Sequence, residues 1–226
     1  RVRLGIGHYT EQMGSHDLTW AQVSDLAIRF EPMIAAFEPD YVEEMKGIAE
    51  GAGVDYAGVV LLNARTEVLK LGEREKGKGV DDGPSDGCTG VLALPGATRD
   101  GRLLHAQNWD WKYECAETAV VLKVRRDDGP DVLTFTEAGG LARHGMNAAG
   151  ISLTANYLES DRDYRNLGVP LPFIRRKALE QSSAQAAMRL IYSVPKSCAN
   201  NMMVAHCEGV AIDFECAPDE TFMVFP

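Results

Sequence analysis

Residues 72–94 read GEREKGKGVDDGPSDGCTGVLAL, and the change of character inside this stretch decides the fold. The part from 72 to 87 holds five glycines, one proline and eight charged residues, with Val80 its single aliphatic side chain. Such a segment has too little apolar surface to offset the entropy of ordering it. An exposed, mobile loop is expected there, and a natural place for a chain to be cut. From Cys88 onward the composition turns strand-like. Val91, Leu92 and Leu94 end at a Pro95-Gly96 turn, and Arg99-Asp100-Gly101 marks a hairpin before Leu103-Leu104.

On the N-terminal side the periodicity is helical. Ala21 to Phe37 places Val23, Leu26, Ala27, Phe30, Ile34 and Phe37 at three- and four-residue steps, with Pro32 expected to kink or split the helix. Glu38-Pro39-Asp40 opens a second helix, carrying Tyr41, Met45, Ile48 and Ala49 on one face, and Gly51-Ala52-Gly53 ends it. A third runs from Tyr56 to about Leu69. On the C-terminal side, strands are expected at Thr118 to Val124, Val132 to Thr136 and Gly150 to Tyr157, with a reversal at Gly139-Gly140. A helix pair follows at Pro170 to Glu180 and Ser183 to Tyr192. Three strands close the chain at Met202 to Ala205, Val210 to Glu215 and Thr221 to Phe225. This order predicts an α+β plan, with antiparallel sheet and helices segregated against it.

The 226 residues, 45% hydrophobic and 25% charged, suffice for a core without crosslinks. A net charge of −10 repels phosphates and anionic lipid, so neither nucleic acid nor membrane is an expected partner. No apolar run approaches the ~18–20 residues that span a bilayer. The opening Arg1-Val2-Arg3-Leu4-Gly5 lacks the apolar stretch of a signal peptide, and a cytoplasmic location is the default expectation. Five sparse cysteines, Cys88, Cys115, Cys198, Cys207 and Cys216, do not form a disulfide framework. No C-x2-C pair is present, and neither a metal nor a cofactor is expected.

The chemistry centres on Ser85-Asp86-Gly87-Cys88-Thr89. Gly87 has no Cβ, so its carbonyl is open to close approach. Attack by the Cys88 thiolate would convert the Gly87–Cys88 amide into a thioester that water opens, leaving Cys88 with both a thiol and a free α-amine. That amine, with an ordinary pKa of roughly 7.7–8, is a base for its own thiol near neutral pH. Taken alone, the tripeptide fits a small buried structural cysteine better than a nucleophile. A second signal is Gln107-Asn108-Trp109-Asp110-Trp111, one hairpin away, where a carboxylate could hold the α-amine. The bland alternative there is a turn with core tryptophans. A third is Thr154-Ala155-Asn156-Tyr157, where an Asn amide could donate to a developing oxyanion or simply end a strand.

Taken together, these stretches resemble the acyl-coenzyme A:6-aminopenicillanic acid acyltransferase family of N-terminal-nucleophile proteins. The resemblance extends through Tyr41-Val42-Glu43-Glu44-Met45-Lys46-Gly47-Ile48-Ala49-Glu50-Gly51-Ala52 and Leu62-Asn63-Ala64-Arg65-Thr66-Glu67. It continues through Thr136-Glu137-Ala138-Gly139, Gly145-Met146-Asn147-Ala148-Ala149-Gly150 and Gly168-Val169-Pro170, in the family's order over roughly residues 40 to 215. It implies a four-layer αββα sandwich made by self-cleavage. Residues 1–87 would be a helical pro-segment that stays bound as a partner, and 88–226 the catalytic segment, which looks incomplete at its C-terminus.

By the same resemblance, Cys88 is the nucleophile, Asp110 the active-site carboxylate and Asn156 the residue facing the substrate carbonyl. Gln107, Asn108 and Tyr157 are expected to line the substrate. The implied partner is a small N-acyl substrate, with an acyl-thioester donor if the acyl group is transferred rather than hydrolysed. An N-acyl amino acid or lipid amidase is the neighbouring alternative, and an uncleaved scaffold or binding domain the alternative from another class.

Overall fold

The structure is a computed structural model and describes residues 1–77 and 88–226. The expected cleavage site at Gly87 and most of the expected loop lie outside the described residues. Five helices come first: α1 (Val2–Ser15), α2 (Trp20–Ile28), α3 (Glu31–Phe37), α4 (Pro39–Ala52) and α5 (Tyr56–Glu75). The long periodic stretch is split as Pro32 demands, since proline is tolerated only in the first turn of α3. Thr19 caps α2 in a reciprocal capping box with Gln22, and Gly53, at φ 60°, terminates α4 in the left-handed conformation.

Two expectations here need correction. Helix α1 carries no strong apolar period and three glycines, so it was not anticipated. It forms because Gly5, Tyr9 and Met13 make a narrow buried stripe, with Gly5 fitting against Leu62 of α5. Tertiary packing overrides propensity in that segment. Helix α5 also continues past Leu69 to Glu75, taking in residues expected to be loop. Gly72 favours this: a Cβ there would stand 2.6 Å from Leu18 Cδ1, so glycine lets α5 close on the segment before α2 without displacing the Leu18 side chain. Glu73 then pairs with His16 at 2.8 Å.

After Cys88 come β1 (Thr89–Ala93) and β2 (Leu104–Asn108), an antiparallel pair forming a sheet of their own. The larger sheet has seven antiparallel strands in chain order: β3 (Ala119–Val124), β4 (Val132–Glu137), β5 (His144–Asn147), β6 (Ile151–Tyr157), β7 (Asn200–His206), β8 (Val210–Cys216) and β9 (Thr221–Val224). Helices α6 (Leu171–Leu179) and α7 (Ala184–Ser193) interrupt it between β6 and β7. The fold is α+β with antiparallel sheets, as expected. Strand β5 was not anticipated, because its glycine breaks the strand pattern. A Cβ on Gly145 would lie 2.2 Å from the Leu133 carbonyl, so the close approach of β4 requires glycine.

Period-2 alternation sorts β6 between two neighbours. Ile151, Leu153 and Ala155 are buried on the side that packs on α6, while Ser152, Thr154 and Asn156 face the hairpin. Helix, sheet and second sheet are therefore three stacked layers. The hairpin's outer face is open among the described residues, with Val91 and Leu104 each 58% exposed. The helical unit α1–α5 joins the rest through one continuous core that includes Phe30, Leu61, Val132, Leu153 and Phe173.

Two of the motif residues act as stitches. Asn63 donates to the Gly139 carbonyl at 2.8 Å and accepts from Leu141 N at 2.8 Å, tying α5 to the turn before β5. Asn147 accepts from Ala149 N and Ile151 N and donates to the Leu179 and Gln181 carbonyls, tying the β5–β6 turn to the end of α6. No helix of the described residues is long and apolar enough to cross a membrane.

Candidate active site

Cys88 stands immediately before β1 and is half-buried. The pairing of Thr89 with Asn108 and Gly90 with Gln107 fixes which side chains share a face. Gly90 and Leu92 point with His105 and Gln107 toward the large sheet, and Thr89 and Asn108 point outward. The alternation carries Cys88 onto the inward side. Its Sγ lies 3.9 Å from the main-chain oxygen of Asp110, just beyond the end of β2, and the Asp110 side chain is exposed.

The Gln107–Trp111 run alternates in the same way. Gln107, Trp109 and Trp111 are the half-buried members, and Asn108 and Asp110 the exposed ones. Trp109 stacks on Trp111 with centroids 6.2 Å apart, meets Phe135 edge-on at 5.7 Å and lies under the Arg143 guanidinium at 4.1 Å. Trp111 Nε1 donates to Tyr9 Oη at 2.9 Å, so the hairpin end is anchored to α1.

Of the residues expected at the site, the structure brings Gln107 and Asn156 into direct contact. Gln107 Nε2 donates to Asn156 Oδ1 at 2.9 Å and to the Ala155 carbonyl at 2.6 Å. Asn156 Nδ2 sits under β1, 3.4 Å from where a Cβ on Gly90 would stand. Asn108 lies on the opposite, exposed face. Tyr157 ends β6, is 45% exposed and donates its hydroxyl to Glu159.

His105 secures the hairpin, reaching Ser152 Oγ through Nδ1 and Thr154 Oγ1 through Nε2, both at 2.8 Å. Burial lowers its pKa, which keeps the ring neutral between two hydroxyls.

Sequence reading missed the charged groups behind the site. Arg175 on α6 is only 7% exposed, and its Nε has no hydrogen-bond partner among the described residues. Burial brings this guanidinium down to about 10, against the opposing pull of Glu67, Cys198 and Cys88. Glu67 accepts from Leu171 N at 3.0 Å, and burial raises its pKa. Beside it, Arg65 pairs with Glu137 at 3.3 Å and lies 4.9 Å from the ring centres of both Tyr9 and Trp111. The available signal was the pair of charges in Asn63-Ala64-Arg65-Thr66-Glu67, on a segment otherwise apolar enough to be buried. Arg175 carried none, because its burial depends on where α6 docks. Among the described residues, no group of three or more His, Cys, Asp and Glu side chains could hold a metal ion.

Comparison with known proteins bears on this arrangement. Residues 97–221 match the acyl-coenzyme A:6-aminopenicillanic acid acyl-transferase family. The 40 kDa form of the acyl-coenzyme A:6-aminopenicillanic-acid-acyltransferase of Emericella nidulans is 30% identical over 205 residues, 91% of this chain and 54% of that protein. The chain thus spans about half the length of the curated relative it matches. Among solved structures, a Caenorhabditis elegans ortholog of N-acylethanolamine-hydrolyzing acid amidase superposes with a TM-score of 0.47. It shares 17% identity and covers 60% of this chain and 63% of its own. Penicillin V acylase from Agrobacterium tumefaciens gives 0.41 at 12% identity, covering 62% and 49%. Because the family match takes in more than half of its residues, the chain belongs to the acyl-coenzyme A:6-aminopenicillanic acid acyl-transferase family.

Proposed function

We propose that this protein cuts itself between Gly87 and Cys88 and then transfers or hydrolyses an amide-linked acyl group through a thioester on Cys88. The observation that carries this reading is the seat of Cys88. It heads a two-stranded hairpin, faces inward, lies against the Asp110 main chain and stands two residues from the glycine that covers the Asn156 amide.

In the first step the Cys88 thiolate adds to the Gly87 carbonyl carbon. The C–N bond breaks, the nitrogen leaves as the Cys88 α-amine, and water releases Gly87 as a carboxylate. In turnover the α-amine takes the thiol proton, sulfur adds to the acyl carbonyl, and the departing amine takes that proton away. The Asp110 carboxylate holds the α-ammonium, and Asn156 donates to the oxyanion. The buried Arg175 guanidinium adds a positive charge in reach of the sulfur. Water then releases the acid, or a second amine takes the acyl group. When transfer operates, an acyl thioester is the donor. Residues 1–87 remain bound as the partner fragment, through the core they share with the sheet.

The test is the intact mass of purified, denatured protein, wild type beside Cys88→Ala. Wild type is expected to give two species, the heavier beginning at Cys88, and Cys88→Ala one uncut chain that releases no amine from N-acyl substrates. A Cys88→Ala protein that still splits after Gly87 defeats the proposal.

A further inference from the structure

The side-chain amides beneath the hairpin run in one direction, and a carboxylate sets that direction. Asp213 on β8 accepts from Asn201 Nδ2. Asn201 Oδ1 accepts from Asn156 Nδ2 at 2.9 Å, and Asn156 Oδ1 accepts from Gln107 Nε2 at 2.9 Å. The other Gln107 N–H goes to the Ala155 carbonyl at 2.6 Å. The row crosses three adjacent strands, with Asn156 and Asn201 paired in register, and ends on the hairpin.

An amide alone is ambiguous, because its nitrogen and oxygen ends have nearly the same shape. This row is not ambiguous. A carboxylate stands at one end and a main-chain carbonyl at the other, and neither donates. Turning any one amide over would set oxygen against oxygen or nitrogen against nitrogen. Each amide must therefore point its nitrogen toward Asp213. Asn201 is 7% exposed, so the alternative orientation has no water to relieve it.

The consequence falls on Asn156. Its oxygen is engaged by Gln107, and its nitrogen commits one hydrogen to Asn201. The second Nδ2 hydrogen is uncommitted among the described residues. That nitrogen lies directly under Gly90, two residues along the strand from Cys88.

We propose that Asp213, acting through Asn201, is a positioning residue that, with Gln107 on the other side, presents an Asn156 N–H, and not its oxygen, to the acyl oxygen beside Cys88. This rests on the acyl-transfer reading above and assigns a role to a carboxylate two strands away from the strand that meets the hairpin. Removing Asp213 leaves the Asn201 amide nitrogen without its acceptor and loosens Asn201, so Asn156 keeps only the Gln107 side of its hold and its free N–H is presented less firmly to the developing negative charge.

The experiment is a double-variant cycle on the full chain, with a fatty-acyl amide of 7-amino-4-methylcoumarin as the probe. Asn156→Ala should lower kcat by about a hundredfold, the usual loss of one oxyanion donor, and Asp213→Ala by about tenfold, each with KM within about twofold. The double variant should be no slower than Asn156→Ala alone, and Asp213→Asn, which keeps an acceptor oxygen, should recover most of the rate. Additive losses in the double variant overturn the proposal, because Asp213 would then act by some route other than Asn156. A second readout needs no turnover: the side-chain amide NMR resonances of Asn156 and Gln107 should shift, and exchange faster, in Asp213→Ala. Resonances that stay unmoved overturn the relay whatever the activity. Shifted resonances in a protein that never cleaves the probe uphold the relay and defeat the acyl-transfer reading instead.

Discussion

Tyr9 Oη donates to Glu137 Oε1 at 2.7 Å, joining side chains 128 residues apart and lying on either side of the proposed cut. The same hydroxyl accepts from Trp111, and the same carboxylate pairs with Arg65. Burial raises the Tyr9 pKa far out of its usual range, so this hydroxyl stays protonated and donates. The helical segment is thereby held to the sheet by directional bonds as well as by apolar packing.

Tyr9→Phe keeps the ring and removes one hydrogen bond to a buried charged acceptor, and should cost about 1.5–3 kcal/mol. Glu137→Leu leaves Arg65 buried without its carboxylate and should cost more, about 3–5 kcal/mol. Urea unfolding followed by tryptophan fluorescence measures both. Equal midpoints in wild type and Tyr9→Phe would mean that the bond contributes nothing.

Asp110 should matter to chemistry and little to stability, because its side chain is exposed. Asp110→Asn removes the proposed anionic partner of the α-amine and should slow chain cleavage or turnover by about 10²–10⁴-fold, with a melting temperature near wild type. Normal processing together with normal turnover would remove Asp110 from the mechanism.

His144 makes stability depend on pH. Burial, then the charge of Arg175, depresses its pKa to about 4, and the ring stacks on Phe135 at 5.0 Å. Unfolding restores the ordinary value near 6.5. Between those limits the unfolded chain binds a proton that the folded chain refuses. This contribution is complete above about pH 6.5 and is lost as pH falls toward 4, by on the order of 3 kcal/mol. Denaturation at stepped pH should show that slope in wild type and a flatter one in His144→Phe.

Gly90 is a point of close approach between hairpin and sheet. A Cβ there would stand 2.7 Å from Met203 Sδ, so Gly90→Ala must displace the methionine or lift β1. The expected cost is about 1–3 kcal/mol of stability. Turnover should fall further than that loss implies, because the same shift moves Cys88 relative to Asn156. A variant that loses stability but turns over normally would show that methionine alone gives way.

Local chemistry was enough to place most of the elements. Proline at 32, glycine at 53 and the polar run before Cys88 punctuate the chain, and alternation or three-to-four spacing names the segments between them. It also named Cys88, Asp110, Gln107 and Asn156 as candidates for the chemistry, of which the structure brings Gln107 and Asn156 into direct contact. What escaped was everything decided by contact between distant segments. Helix α1 exists because Gly5 fits Leu62, α5 runs on because Gly72 fits Leu18, and β5 forms because Gly145 passes close to Leu133. A glycine reads locally as a breaker, and only a neighbour brought in by the fold turns it into a seat. The same holds for the charged residues. Arg175, Asn201 and Asp213 have no local signature, since desolvation, pairing and amide direction are properties of surroundings. Those surroundings come into being only when α6 docks on the sheet and three strands align their side chains beneath the hairpin.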